Sequence, residues 1–387
     1  MQWKYWQVPK GMQDILPREA KRRRKLENLL SDVFTKWGYE EVETATLEYL
    51  DTLTLGSGEG EGLFKLADNN GRLLALRADM TTPIARVIAT HMQDADLPLR
   101  IFYSDTVYRN KIQHIGGKRE FKQAGVELVG IAGIEADVEV VLIALETLKQ
   151  CTVQDYRLGI GHTVITELLL KEAFSDLAIL TEAKEALVKR NIVRLEELLL
   201  DSSASLELQT GLKEIATLNG GTELLSLIAR ISDNAEIKAA VADLELLYSL
   251  IISQSKAGTI FFDFTILRDF DYYSGIVFEG YTANLGHPVC GGGRYDKLLG
   301  NYGEPQPAVG FAIALDHILA TQNMEESNKQ KIFLAGTYGP MLFSTALKMR
   351  SLGEIVAIDL TGKTYGEALD FVNKQQDMVL KWIEGEG

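Results

Sequence analysis

The chain has 387 residues, of which 46% are hydrophobic and 24% are charged, and its formal net charge is −14. This length is enough for two or three ordinary domains with sizeable cores. The acidic charge argues against an extended basic surface for nucleic acid. No apolar run is long enough to span a membrane, and the first residues lack a signal-peptide pattern. We therefore predict a cytoplasmic protein that does not associate with a membrane.

The cysteine and histidine content argues against structural disulfides and metal sites. The two cysteines are Cys151 and Cys290, with no CxxC pair, and the five histidines are scattered without ligand spacing. Such usage is typical of proteins from a reducing compartment. We therefore expect no metal and no cofactor.

The first predicted helix carries the run KRRRK at residues 21–25. Apolar residues recur at helical spacing after this run, Pro17 can occupy the first turn, and Gly38 can end the helix. Lys and Arg are usually exposed. We therefore predict that the run is a solvated helix face.

The next segments read mainly as strands. Residues 72–77, 100–109, 121–130 and 155–161 alternate or are β-rich and are broken by Gly and Asp. Residues 137–150 read as a helix for which Asp137 is a plausible N-cap. Because few helices separate these strands, an antiparallel sheet is favoured over a doubly wound one.

The rest of the chain divides into three predicted parts. Residues from about 163 to 255 have the hydrophobic periodicity of helices, and a strand-like pattern resumes at residues 259–264. We therefore predict one large domain over residues 1–320 that contains a helical insertion. A polar linker at residues 321–330 leads to a short α/β unit at residues 331–387, read as strand, helix, strand and final helix.

The strand FKQAGVELVG, residues 121–130, has two chemically different faces. Alternation places Ala124, Val126 and Leu128 on one face and Gln123, Gly125 and Glu127 on the other. An amide, a bare backbone and a carboxylate are suited to a pocket floor that a ligand approaches closely. The alternative is the solvent-facing polar side of an antiparallel sheet.

Further polar residues suggest what such a pocket would hold. Asp79 and Thr81 follow a strand within LRADMTTP, where both could simply be helix caps, and Arg109 could be a cation at the sheet rim. Arg268 lies in a β-rich stretch, where a buried guanidinium needs an anion. Asp79, Thr81 and Gln123 are suited to an ammonium group, and the two arginines to a carboxylate.

Glu127 and Tyr272 could meet a second, basic group such as an imidazole. Taken together, these residues fit a free amino acid with a basic side chain.

The motifs, taken in order, resemble those of the histidyl-tRNA synthetase family. They are KGMQDILP, LRADMT, REFKQAGVELVG, LRDFDYYSGIVFEGY, GGGRYDKLL and AVGFAIALDHIL, spread over roughly residues 8–320. The resemblance implies an α+β fold: a class II aminoacyl-tRNA synthetase-like antiparallel sheet flanked by helices, assembled as a dimer. It also implies a histidine-binding set, which comprises Asp79, Thr81, Arg109, Gln123, Glu127, Arg268, Tyr272 and Tyr273.

Several positions depart from the synthetase pattern. Lys111 stands where the family has a Glu that reads adenine, and Gly117 where it has a catalytic Arg. The final motif ends ALDH instead of GLER, which places Ala314, Asp316 and His317 at the Gly, Glu and Arg positions. Preorganised cations stabilise the charge of a transferring adenylate, so the resemblance implies no catalytic residues and little or no amino-acid activation.

An intact amino-acid site beside an altered ATP site is similar to the family of regulatory subunits of ATP phosphoribosyltransferase. That resemblance implies a non-catalytic chain that activates a short-form catalytic subunit in a hetero-octamer and mediates feedback inhibition by L-histidine. The acidic charge and short C-terminal unit argue against tRNA. Two alternatives are a histidyl-tRNA synthetase with an atypical ATP site and a free-standing histidine-binding module.

Overall fold

The computed structural model describes residues 6–57, 62–110, 118–254, 258–267, 272–283, 285–321, 330–375 and 377–384. The chain divides into two units, Met1–Gln322 and Asn323–Gly387. Each unit has its own sheet and core.

Helices and strands are interspersed along both units. The strands are β1 (Glu40–Glu41), β2 (Leu47–Tyr49), β3 (Lys65–Ala67), β4 (Leu73–Leu76), β5 (Leu99–Tyr108), β6 (Glu120–Val129), β7 (Arg157–His162), β8 (Ile260–Phe262), β9 (Ile276–Tyr281), β10 (Cys290–Arg294), β11 (Ala308–Ala314), β12 (Lys331–Gly336), β13 (Ile355–Ile358) and β14 (Met378–Ile383). The helices are α1 (Pro17–Lys36), α2 (Leu50–Ser57), α3 (Thr81–His91), α4 (Ile134–Gln150), α5 (Thr163–Ala173), α6 (Leu177–Val188), α7 (Ile192–Leu200), α8 (Leu206–Thr217), α9 (Thr222–Ile231), α10 (Ala235–Ile252), α11 (Leu315–Thr321), α12 (Pro340–Ser351) and α13 (Tyr365–Asn373).

The first unit is built on an eight-stranded sheet in the order β1-β5-β6-β11-β10-β9-β7-β8. The inner neighbours from β5 to β7 pair antiparallel, and the outer pairs β1–β5 and β7–β8 are parallel. A small antiparallel sheet, β2-β4-β3, precedes α3. The predicted α+β fold with an antiparallel sheet is confirmed.

The alternation predicted for β6 is present in the structure. Ala124, Val126 and Leu128 are fully buried in a core shared with α1 and α4. On the opposite face Glu127 is 1% exposed, and Val129 packs in a second core with α3. Helices α1 and α4 therefore cover one face of the sheet. The opposite face, which carries Glu127, is also covered and does not face solvent.

Helix α1 begins and ends as the sequence predicts. Pro17 occupies the first turn, where its missing N–H costs nothing, and Gly38 follows the helix with a φ of +82°, a conformation that glycine adopts readily. The prediction of a solvated KRRRK face holds for Lys21, Arg24 and Lys25 and is wrong for the two residues between them. Arg22 and Arg23 are half-buried, because Arg22 donates to the Leu319 carbonyl and Arg23 pairs with Asp316 on α11.

Asp137 is not the N-cap of α4, which begins after Gly133. It lies in the first turn and is 4% exposed, with an oxygen 2.7 Å from Arg294 Nη2 at the end of β10. Burial raises the pKa of Asp137 to about 6 even though Arg294 opposes the shift. The carboxylate thus ties α4 to the sheet, which is a stronger constraint than a cap.

Helices α5 to α10 follow β7 and precede β8, where the sequence predicts a helical insertion. The first of them is capped by His162, whose Nδ1 accepts from Ile165 N at 3.4 Å. Burial lowers the pKa of His162 to about 4, so the ring stays neutral at physiological pH and can act as an acceptor. A crossover of this length allows β7 and β8 to run parallel.

The second unit has a three-stranded parallel sheet in the order β13-β12-β14. Helix α12 packs on one face and α13 on the other, and Thr364 and Glu367 form a capping box at the start of α13. The prediction that this unit ends in a helix is wrong, since β14 follows α13. Within the residues that the structure describes in either unit, no helix has the length and hydropathy to cross a bilayer.

Candidate functional site

One pocket opens on the Glu127 face of the main sheet and encloses about 390 Å³, its open mouth included. Seven of the eight predicted ligand residues line it: Asp79, Thr81, Arg109, Gln123, Glu127, Tyr272 and Tyr273. The eighth, Arg268, lies outside the described residues. Elements separated by almost 200 residues thus meet at one cavity.

Asp79 and Thr81 come from the turn that leads into α3. Asp79 Oδ1 accepts from Thr82 N at 2.9 Å, so it caps the helix as well as lining the pocket. The residue is 7% exposed, and burial raises the pKa of its carboxyl, while Thr82 and Arg109 oppose that shift. A buried anion of this kind is suited to a ligand cation.

Glu127 is the most enclosed acidic group of the site. Thr81 Oγ1 donates to its Oε1 at 2.9 Å, and the Tyr295 hydroxyl donates to Oε2. Burial raises the pKa of Glu127 to about 8, with the two hydroxyl bonds opposing the shift and Asp79 adding to it. Its two oxygens are therefore held in fixed positions at the pocket wall.

Arg109 and Gln123 extend the polar wall along β5 and β6. Arg109 Nε donates to the Ala78 carbonyl at 3.2 Å, and its guanidinium lies 5.2 Å from the centre of the Phe121 ring. Gln123 is half-buried and pairs in register with Ala314 of β11. The arginine is thus anchored by its Nε beside the pocket, and a guanidinium is suited to a carboxylate.

Three tyrosines form the remaining wall. The rings of Tyr272 and Tyr273 lie 4.9 Å apart, and Tyr272 meets Tyr295 edge-on at 5.7 Å. The sequence prediction omits Tyr295, although it stands in the motif GGGRYDKLL beside Arg294. The motif itself was the signal that could have pointed to Tyr295. The contact between Tyr295 and Glu127, which are 168 positions apart, could not be read from the sequence because the fold creates it.

The floor of the pocket includes two glycines, Gly291 of β10 and Gly310 of β11. Gly125 of β6 pairs with Ala312 of β11, beside this lining. A Cβ at Gly125 would clash with the Phe311 carbonyl oxygen and lie 2.5 Å from the Tyr103 hydroxyl, and one at Gly310 would clash with Glu127 Oε2. The prediction that Gly125 leaves room for a ligand is wrong, because the space beside it is filled by the Phe311 carbonyl oxygen and the Tyr103 hydroxyl.

The last synthetase-like motif, AVGFAIALDHIL, covers β11 and most of α11. Its Asp316 and His317 contact other parts of the protein and do not line the pocket. Asp316 pairs with Arg23 and with Lys118, whose Nζ lies 3.0 Å from Oδ1. His317 Nδ1 lies 3.0 Å from the Pro288 carbonyl oxygen, and its ring centre is 4.2 Å from that of His287. Lys111 and Gly117, the other two departures, lie outside the described residues.

Comparison with known proteins agrees with the motifs. A family model described as histidyl-tRNA synthetase matches residues 11–318. The chain is 40% identical over 370 residues to the ATP phosphoribosyltransferase regulatory subunit of Moorella thermoacetica, covering 94% of each chain. It is 35% identical over 362 residues to that of Desulfitobacterium hafniense, again covering 94% of each.

Solved structures give the same result. A Bacillus halodurans protein described as an ATP phosphoribosyltransferase regulatory subunit/histidyl-tRNA synthetase has a TM-score of 0.88, 31% identity and 99% coverage of both chains. A histidyl-tRNA synthetase from Nostoc sp. has a TM-score of 0.81 at 21% identity, covering 98% of this chain and 92% of that one. The second likeness concerns the fold alone.

The sheet, its order and its flanking helices define a class II aminoacyl-tRNA synthetase-like protein. The matched motifs and the family model narrow this class to its histidyl-tRNA synthetase branch. Within that branch, the chain belongs to the family of ATP phosphoribosyltransferase regulatory subunits. The prediction of a regulatory chain, as opposed to a catalytic one, is thereby confirmed.

Proposed function

We propose that this chain activates a short-form ATP phosphoribosyltransferase catalytic subunit and lets L-histidine inhibit the first step of histidine biosynthesis through the pocket around Glu127. It acts in the cytoplasm and binds no tRNA. It forms a dimer by itself, pairing near residues 11–17, and a hetero-octamer with the catalytic subunit.

The observation that carries the proposal is the complementarity between the pocket and a free histidine. Asp79 and Gln123 provide acceptors for the α-ammonium group, with Thr81 beside them. Arg109, together with Arg268, provides cations for the carboxylate. Glu127 and Tyr272 are left for the imidazole, so each charged or polar group of the ligand has a counterpart.

The contacts of α11 support a regulatory and not a catalytic use of this pocket. In the synthetase pattern an Arg at position 317 holds nucleotide phosphate, whereas His317 here lies against His287 and Pro288. Asp316 is engaged by two cations, Arg23 and Lys118. A site that binds an amino acid without activating it can report the amino-acid concentration.

The test is co-expression with a short-form catalytic subunit, followed by measurement of complex size and of inhibition by histidine. Arg109→Ala and Arg268→Ala each remove a charge-assisted partner worth about 1.5–3 kcal/mol. Inhibition curves should therefore move to roughly ten- to a hundredfold higher histidine concentration. The matched control is Arg100→Ala, because Arg100 lies on β5, the strand that Arg109 directly follows, but pairs with Glu139 and does not line the pocket.

Two results would contradict the proposal. Failure of the chain to join any short-form catalytic subunit would argue against the partnership. Curves for Arg109→Ala and Arg268→Ala that overlay the wild-type curve, with the complex intact, would place the action of histidine at another site.

A further inference from the structure

We propose that the bound ligand's imidazole and Glu127 share a single proton, so that the pocket recognises a basic ring able to exchange that proton and discriminates against side chains that are permanently charged. This inference rests on the proposed function and specifies how the same site selects its ligand.

The geometry of Glu127 sets the first constraint. The carboxyl is 1% exposed, and both of its oxygens already accept hydroxyl hydrogen bonds, from Thr81 and Tyr295. Gly310 packs so closely that a Cβ there would overlap Oε2. Glu127 therefore has no room to turn toward solvent when its charge changes.

The groups around Glu127 set the second constraint. Within the described part of the chain, the titratable groups that face it or act on it electrostatically are Asp79 before α3, Tyr39 before β1, Tyr103 of β5, and Tyr272 and Tyr295. The only charged group among these five is Asp79, an anion, and the cation lining the same pocket, Arg109, acts on Asp79. An ionised Glu127 in the empty pocket would thus add a second buried anion beside Asp79.

Charge balance then fixes the state of the occupied pocket. Among the described residues, the ligand's ammonium offsets Asp79 and its carboxylate offsets Arg109. What remains is Glu127 and the ring, and an unbalanced charge on this pair would be buried at a cost of several kcal/mol. The pair is neutral overall if it carries one proton, whether on the carboxyl or on the ring.

A single shared proton predicts a characteristic pH profile. Without ligand, burial raises the pKa of Glu127 to about 8, and the pKa of a free imidazole is about 6.5. Between these values a protonated Glu127 meets a neutral ring, and binding exchanges no protons with the solvent. Below the window the ring must lose a proton on binding and above it the site must gain one, so affinity falls by about tenfold per pH unit on either side.

The experiment is calorimetric titration of the full chain with L-histidine from pH 5.5 to 9, using two buffers of different ionisation enthalpy. We expect an affinity plateau between about pH 6.5 and 8, with net proton exchange close to zero near pH 7.2. Affinity that rises through this window would show binding by an ionised carboxylate to a neutral ring, and affinity that falls through it would show a doubly protonated pair. Either result overturns the inference.

Two variants and a second ligand show which group causes the fall in affinity below the plateau (the acid limb) and which causes the fall above it (the alkaline limb). Glu127→Gln should lose the alkaline limb that belongs to the carboxyl, leaving only the deprotonation of the ligand's own amino group. Tyr295→Phe removes a hydrogen bond that favours the ionised carboxyl, so its alkaline limb should move to higher pH. β-(2-Thienyl)-L-alanine, which has no basic ring nitrogen, should bind without the acid limb.

The outcomes separate this inference from the proposed function. If histidine binds and inhibits but the Tyr295→Phe profile coincides with the wild-type profile, the shared proton is wrong and the regulatory function stands. If histidine does not bind to the pocket at any pH, the proposed function fails along with the inference.

Discussion

Strand β11 places two polar regions of opposite character at different positions along one sheet. Near Gly310 and Ala312 polar side chains converge on open space, and Glu127 is held there by two hydroxyl groups. Past Ala314, where α11 begins, Asp316 is engaged by its own neighbours, Arg23 and Lys118. The first region is therefore arranged for a ligand and the second for internal cohesion, so substitutions in each should have different consequences.

The largest expected effect concerns chemistry at the α11 region. We expect no histidine-dependent exchange of pyrophosphate into ATP, because His317 and Gly117 replace two phosphate-directed cations of the synthetase pattern. Groups of this kind contribute on the order of 10²–10³ each to catalysis. The assay is isotope exchange with an active histidyl-tRNA synthetase as the positive control. Exchange at a rate comparable with that control would remove the contrast between the two regions.

The next effect concerns stability as a function of pH on the pocket side. Because the pKa of Glu127 is raised from 4.5 to about 8 in the folded state, the folded chain holds this proton more tightly than the unfolded chain. The stability contributed by the protonated carboxyl is therefore lost as pH rises from about 4.5 to about 8. Glu127→Gln cannot ionise, so its free energy of unfolding relative to wild type should increase across this window, by on the order of a few kcal/mol.

Denaturant unfolding at pH 5 and pH 8 checks this expectation. Glu139→Gln on α4 is the matched control, because Glu139 is partly exposed and paired with Arg100. A Glu127→Gln difference that is the same at both pH values would show that the carboxyl is not buried as the structure has it.

A smaller loss of stability is expected on the α11 side. Asp316→Ala leaves Arg23 and Lys118 without their shared carboxylate, and since these side chains are 10–31% exposed the cost lies between surface and buried pairs, at about 2 kcal/mol. Chemical unfolding measures it, with Asp233→Ala as control because the Asp233–Lys238 pair is on the surface. Histidine affinity should be unchanged, and a tenfold loss would mean that the two regions are not separate.

The smallest effect is expected from Tyr295→Phe at neutral pH. The substitution removes one hydroxyl hydrogen bond to Glu127 and retains the aromatic contact with Tyr272. Because this bond holds in place the carboxyl that meets the ring, its loss, worth about 1 kcal/mol, should lower histidine affinity by up to roughly fivefold. Tyr302→Phe is a matched control, because its hydroxyl donates instead to the Thr52 carbonyl. Equal effects of the two substitutions would deny Tyr295 a place in the pocket.

The sequence predicts well what depends on local pattern. Alternation along β6 correctly separates Val126 from Glu127, and Pro17 and Gly38 correctly mark the ends of α1. These features depend on periodicity and backbone preference, which neighbouring residues express directly. Most polar groups of the pocket could be assembled from sequence because all of those predicted, except Arg109, fall in a family motif.

The features that sequence analysis missed depend on distant partners. Asp137 is a plausible cap until Arg294, 157 positions away, is seen beside it. Arg23 is half-buried because Asp316, 293 positions away, reaches it. Strand β14 is short and is specified by its parallel pairing with β12, because a six-residue apolar run does not distinguish strand from helix by period.

The glycine floor has a consequence for how this pocket could be redesigned. Gly291 and Gly310 line the pocket without a side chain, and Gly310 has no space for even a methyl group, because its Cβ would meet Glu127 Oε2. Directed evolution toward a different amino acid would therefore gain nothing from diversifying the floor. Libraries should vary the walls, at Gln123, Tyr272 and Tyr273, because only there can a change of side chain alter the ligand without closing the cavity.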